Sequence, residues 1–181
     1  MRKLREIGVT LAVVIGLSAP AVDAHAQCSA TGGGATCNQP GSVTMTAGRV
    51  VRLQMSAGST SLTAPTPADF DAGFNATTGP TLTVSANAPW TLHLRSSGAF
   101  WAATNTSPGA PARATKPAGD LRWSTASNGV FSALSISDVN LVTGAATASS
   151  ATTLYFQTIY DWALDTPGNY SQTIVLTLTA P

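Results

Sequence analysis

Apolar and polar side chains alternate with a period of two along much of the chain after residue 42. In an extended strand this alternation makes one face apolar and the other polar, and it predicts half-buried β-strands rather than helices. The alternating segments lie at residues 42–47, 51–55, 81–86, 90–95 and 173–178, and less regular strands are predicted at 120–124, 130–136 and 152–160.

Turn-forming residues separate the predicted strands, and no segment has a convincing helical period. Short strands punctuated in this way are typical of an antiparallel sandwich or barrel, so the sequence predicts an all-β domain. Two longer irregular connections are expected at residues 64–80 and 103–119. The turns are predicted at Ala57-Gly58-Ser59, Thr78-Gly79-Pro80, Asn87-Ala88-Pro89, Ser127-Asn128-Gly129, Thr143-Gly144 and Thr166-Pro167-Gly168.

The first 26 residues have the three parts of a secretory signal peptide. Basic residues precede an apolar run from Ile7 to Leu17, and Ala24-His25-Ala26 places small residues where a signal peptidase cuts. Cleavage after Ala26 would leave Gln27 as the new N-terminus. The alternative is an uncleaved anchor, but the apolar run is shorter than the roughly 20 residues that span a bilayer. The predicted location is therefore outside the cytoplasm: secreted, periplasmic or on the cell surface, in a bacterium.

The mature chain, residues 27–181, carries few charges and no net charge. It keeps six of the nine Lys and Arg residues and six of the eight acidic residues, and all six acids are Asp. Neutralising a phosphate backbone requires clustered cations, which six scattered ones do not provide. Nucleic acid is therefore not expected as a partner, and no membrane-spanning segment is expected after cleavage.

Cys28 and Cys37 are the two cysteines of the chain. In an oxidising compartment such a pair predicts a disulfide, and Gly32-Gly33-Gly34 gives the intervening segment the freedom to close. The alternative of a metal site lacks further His or Cys ligands nearby. No metal or other cofactor is predicted.

Few residues of the mature chain suggest catalysis, and a non-enzymatic protein is predicted. His93 is the one histidine left after cleavage, and a triad with a Ser and Asp120 or Asp161 would also need a strained nucleophile turn, for which no G-x-S-x-G motif occurs. Asp69 and Asp71 form only a fragment of a calcium loop or of a carboxylate pair, and turn formation is the simpler interpretation.

Trp101 is the candidate ligand platform. The Phe100-Trp101 pair precedes the long Pro- and Gly-rich loop, where an exposed indole ring would suit a sugar. The alternative is that Trp101 packs in the core, as is expected of the other aromatic residues near predicted strands.

The C-terminal stretch resembles the last strand of bacterial pilin-like β-sandwich proteins, namely chaperone–usher pilin subunits and the spore coat U family. A turn at Thr166-Pro167-Gly168-Asn169-Tyr170 leads into an alternating strand that ends the chain, and Gly168 is the fourteenth residue from the end. The strand at Asn87-Ala88-Pro89-Trp90 resembles those proteins more loosely.

This resemblance implies an immunoglobulin-like sandwich in a surface or fibre assembly. Subunits of that kind are completed by a strand from a neighbour, which is a form of β-augmentation. The predicted organisation is a signal peptide (1–26), an N-terminal disulfide loop (27–41) and the sandwich (42–181), with other copies or related subunits as partners. The predicted function is that of a structural or adhesive protein, and the alternative function is an extracellular carbohydrate-binding module with a polysaccharide as partner. The candidate assembly strand presents Ile174, Leu176 and Leu178.

Overall fold

Antiparallel β-strands are the main regular secondary structure in a computed structural model of the chain, which describes residues 31–34, 36–37, 42–105 and 111–181. Every strand pair among these residues is antiparallel, so the predicted all-β class is confirmed. The elements are β1 (Val51–Met55), α1 (Pro67–Ala72), β2 (Phe74–Ala86), β3 (Trp90–Ser96), β4 (Ala102–Asn105), a 3₁₀ turn (Ala118–Asp120), β5 (Leu121–Ser124), β6 (Ser132–Ala133), β7 (Val139–Gly144), β8 (Thr147–Ile159), β9 (Gly168–Ser171) and β10 (Ile174–Thr179).

The strands of the described residues form three sheets. The largest has the order β1-β2-β8-β5-β6, the second has the order β10-β3-β7, and β4 pairs with β9 in the third. The long strands β2 and β8 are the centre of the first sheet, while β3 is the centre of the second. Residues 47–181 form one compact unit, and residues 1–46 are assigned to another.

The core follows the alternation of the sequence. In β3 the side chains of Trp90, Leu92 and Leu94 are buried, and those of Thr91 and His93 between them are only half-buried. The same alternation buries every second residue in parts of β2 and β8, and most of these side chains join one cluster to which both larger sheets contribute. The buried members from β2, β5 and β8 are Leu82, Val84, Ala86, Leu121, Leu154 and Phe156.

The predicted turn at Thr78-Gly79-Pro80 is wrong, because β2 passes through it as a bulge. Thr78 pairs with Tyr155 and Thr81 with Thr153, so two residues of β2 stand opposite one residue of β8. Pro80 has no amide hydrogen to give to the ladder, and the extra residue accommodates it. A β-carbon at Gly79 would lie 2.4 Å from the Phe156 ring, so that ring needs glycine there.

The bulge also changes which residues of β2 face inward. Before the bulge, the even-numbered residues Phe74, Ala76 and Thr78 are exposed. After the bulge, the even-numbered residues Leu82 and Val84 are buried. A one-residue insertion reverses the faces of a strand because the side-chain period is two.

Two further expectations about the irregular regions are corrected. Residues 42–47 belong to no strand, and the N-terminal strand of the first sheet begins at Val51. The connection expected at 64–80 contains the helix α1 and half of β2, and the one expected at 103–119 begins with most of β4.

The helix α1 is short and is fixed by its ends rather than by an apolar face. Thr66 caps it, because its hydroxyl accepts from the amide of Asp69 while the Asp69 carboxylate accepts from the amide of Thr66. Pro67 occupies the first turn, and Gly73 ends the helix with φ of 78°. The hydrogen bonds from Thr66 lower the pKa of the Asp69 carboxyl.

The predicted signal peptide (1–26), its cleavage site at Ala26 and Gln27, and Cys28 all lie outside the described residues. The export prediction and the Cys28–Cys37 disulfide therefore stay predictions. In the described part of this first unit, residues 32–34 form a turn in which Gly32 and Gly34 have positive φ.

Candidate functional site

An open groove of about 790 Å³ runs between β1 and β10, which belong to different sheets. Leu53 and Met55 of β1 line it on one side, and Ile174 and Leu176 of β10 line it on the other. Its floor consists of core residues, among them Leu121 and Phe156, and residues 57–62 border it without forming a strand.

Both strands beside this groove are sheet edges. Among the described residues, β1 pairs only with β2 and β10 only with β3. Each therefore presents unpaired backbone groups along one side, which is a template for pairing with another strand. The alternation predicted for β10 is confirmed, because Ile174, Leu176 and Leu178 pack against the core cluster.

The chain enters this domain through a clamp made by Asn87. Its side-chain oxygen accepts from the amide of Val50 at 2.8 Å, and its side-chain nitrogen donates to the carbonyl of Gly48 at 2.8 Å. On the N-terminal side of this clamp lie residues 42–47, the N-terminal arm. The side chains of Val43 and Met45 in the arm are 98% and 88% exposed. In the part of the chain that the structure describes, residues 42–47 form no strand, although their sequence alternates between apolar and polar residues.

A cluster of four charged side chains, two of them buried and two partly exposed, lies at the 3₁₀ turn. The ammonium group of Lys116 is 2.9 Å from Oδ2 and 3.0 Å from Oδ1 of Asp165, 3.1 Å from Oδ2 of Asp120 and 2.8 Å from the carbonyl oxygen of Ile159. The side chains of Lys116 and Asp165 are only 3% and 6% exposed. Arg113 completes the cluster, with Nη1 at 3.0 Å from Asp165 and 3.4 Å from Asp120.

The cluster is electrically balanced and tied to the surrounding loops. Two cations face two carboxylates, so the burial penalty of each charge is offset by a partner. The backbone amide of Asp161 donates to Oδ2 of Asp165, and the amide of Arg113 donates to the hydroxyl of Tyr170, which donates to the carbonyl of Thr166. These bonds fix the loop before β9 against the segment before the 3₁₀ turn.

Aromatic rings connect this cluster to the surface. Lys116 lies 5.5 Å from the centre of the Tyr160 ring, and burial raises the pKa of the Tyr160 hydroxyl above its ordinary value. Tyr160 contacts Phe70, which stacks on Trp162 with 4.5 Å between ring centres. The Trp162 indole is 61% exposed and donates to Asp71 at 3.0 Å, so it borders a second groove, of about 700 Å³, in a fixed orientation.

The prediction of an exposed ligand platform at Trp101 is wrong. Its side chain is 4% exposed, and its indole nitrogen donates to the carbonyl of Pro117 at 3.0 Å. The physical reason is that Phe100 and Pro117 form a β-bridge, which places the carbonyl of Pro117 beside the Trp101 indole. The alternative, packing in the core, is what the structure shows, and the exposed indole belongs to Trp162.

The candidate catalytic residues do not come together. His93 lies on the face of β3 opposite the buried residues, beside Thr177 of β10 and Asn140 of β7, whereas Asp120 is bonded to Arg113 and Lys116. Asp69 takes part in the N-terminal cap of α1, and Asp71 accepts a hydrogen bond from the Trp162 indole. Within the described ranges, no group of three His, Cys, Asp or Glu residues could hold a metal ion.

Lys116 is the residue of interest that no sequence motif indicated. It lies in a Pro- and Ala-rich segment whose composition is typical of a solvent-exposed loop. Its rarity was a usable signal, because lysine occurs in this chain only at positions 3 and 116.

No helix in the part of the chain that the structure describes is both long and apolar enough to cross a membrane. No protein-family model and no curated protein matches this chain.

Proposed function

We propose that this chain is a secreted or cell-surface structural subunit with an immunoglobulin-like sandwich, and that copies of it assemble by β-strand complementation. The observation that carries the proposal is the open groove between two edge strands, which has apolar side chains from both strands, together with an exposed arm whose sequence alternates in the same way. In the assembly, the arm of one copy lies in the groove of the next and pairs with β1 or β10.

The chemistry of the arm suits the groove. Val43, Met45 and Ala47 would form one apolar side of the added strand, and Thr44 and Thr46 the polar side. The groove walls offer Leu53 and Leu176 to the apolar side. Burying apolar surface is worth roughly 25 cal/mol per Å², and pairing would satisfy the open backbone groups of the edge strands.

The proposal predicts concentration-dependent oligomers of the mature chain on size-exclusion chromatography. Replacing Val43 and Met45 together by Asp puts two charges on the apolar side of the arm, and we expect a monomer at all concentrations. The matched control replaces Ser42 and Thr44 by Asp, which adds the same charge to the polar side and leaves the oligomers in place. Trimming residues 27–48 is expected to act like the first variant.

The groove has its own pair of variants. Met55→Asp places a charge in the groove, whereas Gln54→Asp places it on the opposite face of the same strand. We expect the first to be monomeric and the second to assemble. Oligomers that persist in Met55→Asp and in the trimmed chain would contradict strand complementation.

A second candidate function, polysaccharide binding, is favoured by the exposed and oriented indole of Trp162. We expect Trp162→Ala to lose retention on an immobilised polysaccharide that the mature chain binds, with little change in melting temperature, because the side chain is 61% exposed. Trp162→Phe, which keeps an aromatic face, is the control. Equal retention of all three proteins would rule out this site.

A further inference from the structure

We propose that Lys116 and Asp165 condense to an amide, so that an intramolecular isopeptide cross-link joins the segment before the 3₁₀ turn to the loop before β9. This inference is independent of the proposed assembly. It rests on the arrangement of the four charged side chains, which places a nucleophile, an electrophile, a proton carrier and oxyanion donors together in a buried site.

The nucleophile and electrophile are already in contact. Nζ of Lys116 lies 3.0 and 2.9 Å from the two oxygens of the Asp165 carboxyl group. The carboxyl carbon is bonded to both oxygens, so it lies within roughly 3.5 Å of Nζ, the separation from which addition proceeds once the amine lone pair points at the face of the carboxyl group. Because both side chains are almost completely buried, bulk water does not compete for either group.

Asp120 is placed to carry protons. Its Oδ2 lies 3.1 Å from Nζ of Lys116, so it can take a proton from the ammonium group and return one to the departing oxygen. The neutral amine that results has two hydrogens. The carbonyl oxygen of Ile159, at 2.8 Å, accepts one of them and holds Nζ beside the Asp165 carboxyl group.

Asp165 is held by donors that suit a tetrahedral intermediate. Nη1 of Arg113 donates to its Oδ1 at 3.0 Å, and the backbone amide of Asp161 donates to its Oδ2 at 3.0 Å. Fixed donors of this kind stabilise negative charge that develops on a carboxyl oxygen during addition. They belong to the chain itself and require no cofactor.

The reaction balances without an oxidant or reductant. A bond forms between Nζ and the carboxyl carbon, and one carbon–oxygen bond of Asp165 breaks. The two protons that Nζ loses leave with that oxygen as one water molecule, carried by Asp120, which ends unchanged. One buried cation and one buried anion disappear, and Arg113 remains paired with Asp120 at 3.4 Å. Removal of a costly buried ion pair favours the product.

The mass of the exported chain tests the cross-link. After reduction and alkylation of the cysteines, the measured mass of the wild-type protein is expected to be lower, by one water molecule, than the mass calculated for the alkylated sequence. Trypsin should leave residues 114–122 joined to residues 123–181, because the amide connects them after cleavage at Arg122. Under denaturing conditions an amine-reactive reagent should not modify Lys116.

Three variants separate the roles. Lys116→Arg keeps the charge but cannot form this amide, and Asp165→Ala removes the electrophile, so both should show the full sequence mass. Asp120→Ala should abolish or strongly slow the loss of water while Lys116 and Asp165 remain. Cross-linking at the wild-type rate in Asp120→Ala would overturn its role as proton carrier. A wild-type protein of full sequence mass, with a reactive Lys116 and separate tryptic fragments, would overturn the proposal.

Discussion

Replacing Asp165 by Ala is expected to lower the free energy of unfolding by about 3–5 kcal/mol, the cost of leaving a buried charge without its partner. Asp165 is the common acceptor for Lys116 and Arg113, and its loss leaves two buried cations facing the single carboxylate of Asp120. Urea unfolding followed by tryptophan fluorescence measures the change. The expected sign is the same whether Lys116 and Asp165 form an ion pair or the proposed amide.

The matched control for this prediction is Asp138→Ala. Asp138 pairs with Arg95 at 3.5 Å, but the two side chains are 51% and 38% exposed. Solvent screens such a pair, so the expected loss is only about 0–1 kcal/mol. Equal losses in the two variants would show that the buried cluster does not stabilise the fold.

Replacing Leu92 by Ala is expected to destabilise the domain by about 2–5 kcal/mol. Leu92 is completely buried at the centre of β3, where both larger sheets contribute to the core. The shortened side chain loses its transfer free energy and leaves a cavity that the surrounding strands close only in part. Thermal and urea unfolding both report this loss.

His93→Ala is the control for Leu92→Ala, because the neighbouring residue points to the opposite face of the same strand. The change removes more side-chain atoms but no core contact, and an effect below about 1 kcal/mol is expected. A larger loss at His93 than at Leu92 would contradict the assignment of the two faces.

The core strands were predictable because their alternation coincides with burial. Leu82 and Val84 of β2, Trp90 and Leu92 of β3 and the apolar residues of β10 all lie on the side that the sequence indicated. A pattern with a period of two depends only on strand geometry, so it can be recognised in the sequence without knowing which strands are neighbours in the sheet.

Other features depended on tertiary contacts or on short local signals. Thr78-Gly79-Pro80 has the residues of a turn, but pairing with β8 carries the strand through as a bulge around the Phe156 ring. The arm alternates like a strand but forms no strand among the described residues, because alternation does not specify pairing. The helix α1 was missed since its signal lies in its caps, Thr66 and Gly73, and not in an apolar period.

The candidate sites were the least predictable part. Trp101 and Trp162 cannot be distinguished by local sequence, because burial of the Trp101 ring depends on Pro117, which lies sixteen residues further along the chain, pairs with Phe100 and accepts from the Trp101 indole. Lys116 and Asp165 are 49 positions apart, and only the fold brings them together.

Mixing two complementary variants tests strand complementation most directly. The Val43→Asp, Met45→Asp protein has a defective arm and an intact groove, and the Met55→Asp protein has an intact arm and a defective groove. Because only one productive pairing remains, sedimentation of an equimolar mixture should show a one-to-one dimer and nothing larger, while each variant alone stays monomeric. A mixture that contains only monomers would contradict the proposed pairing of arm and groove.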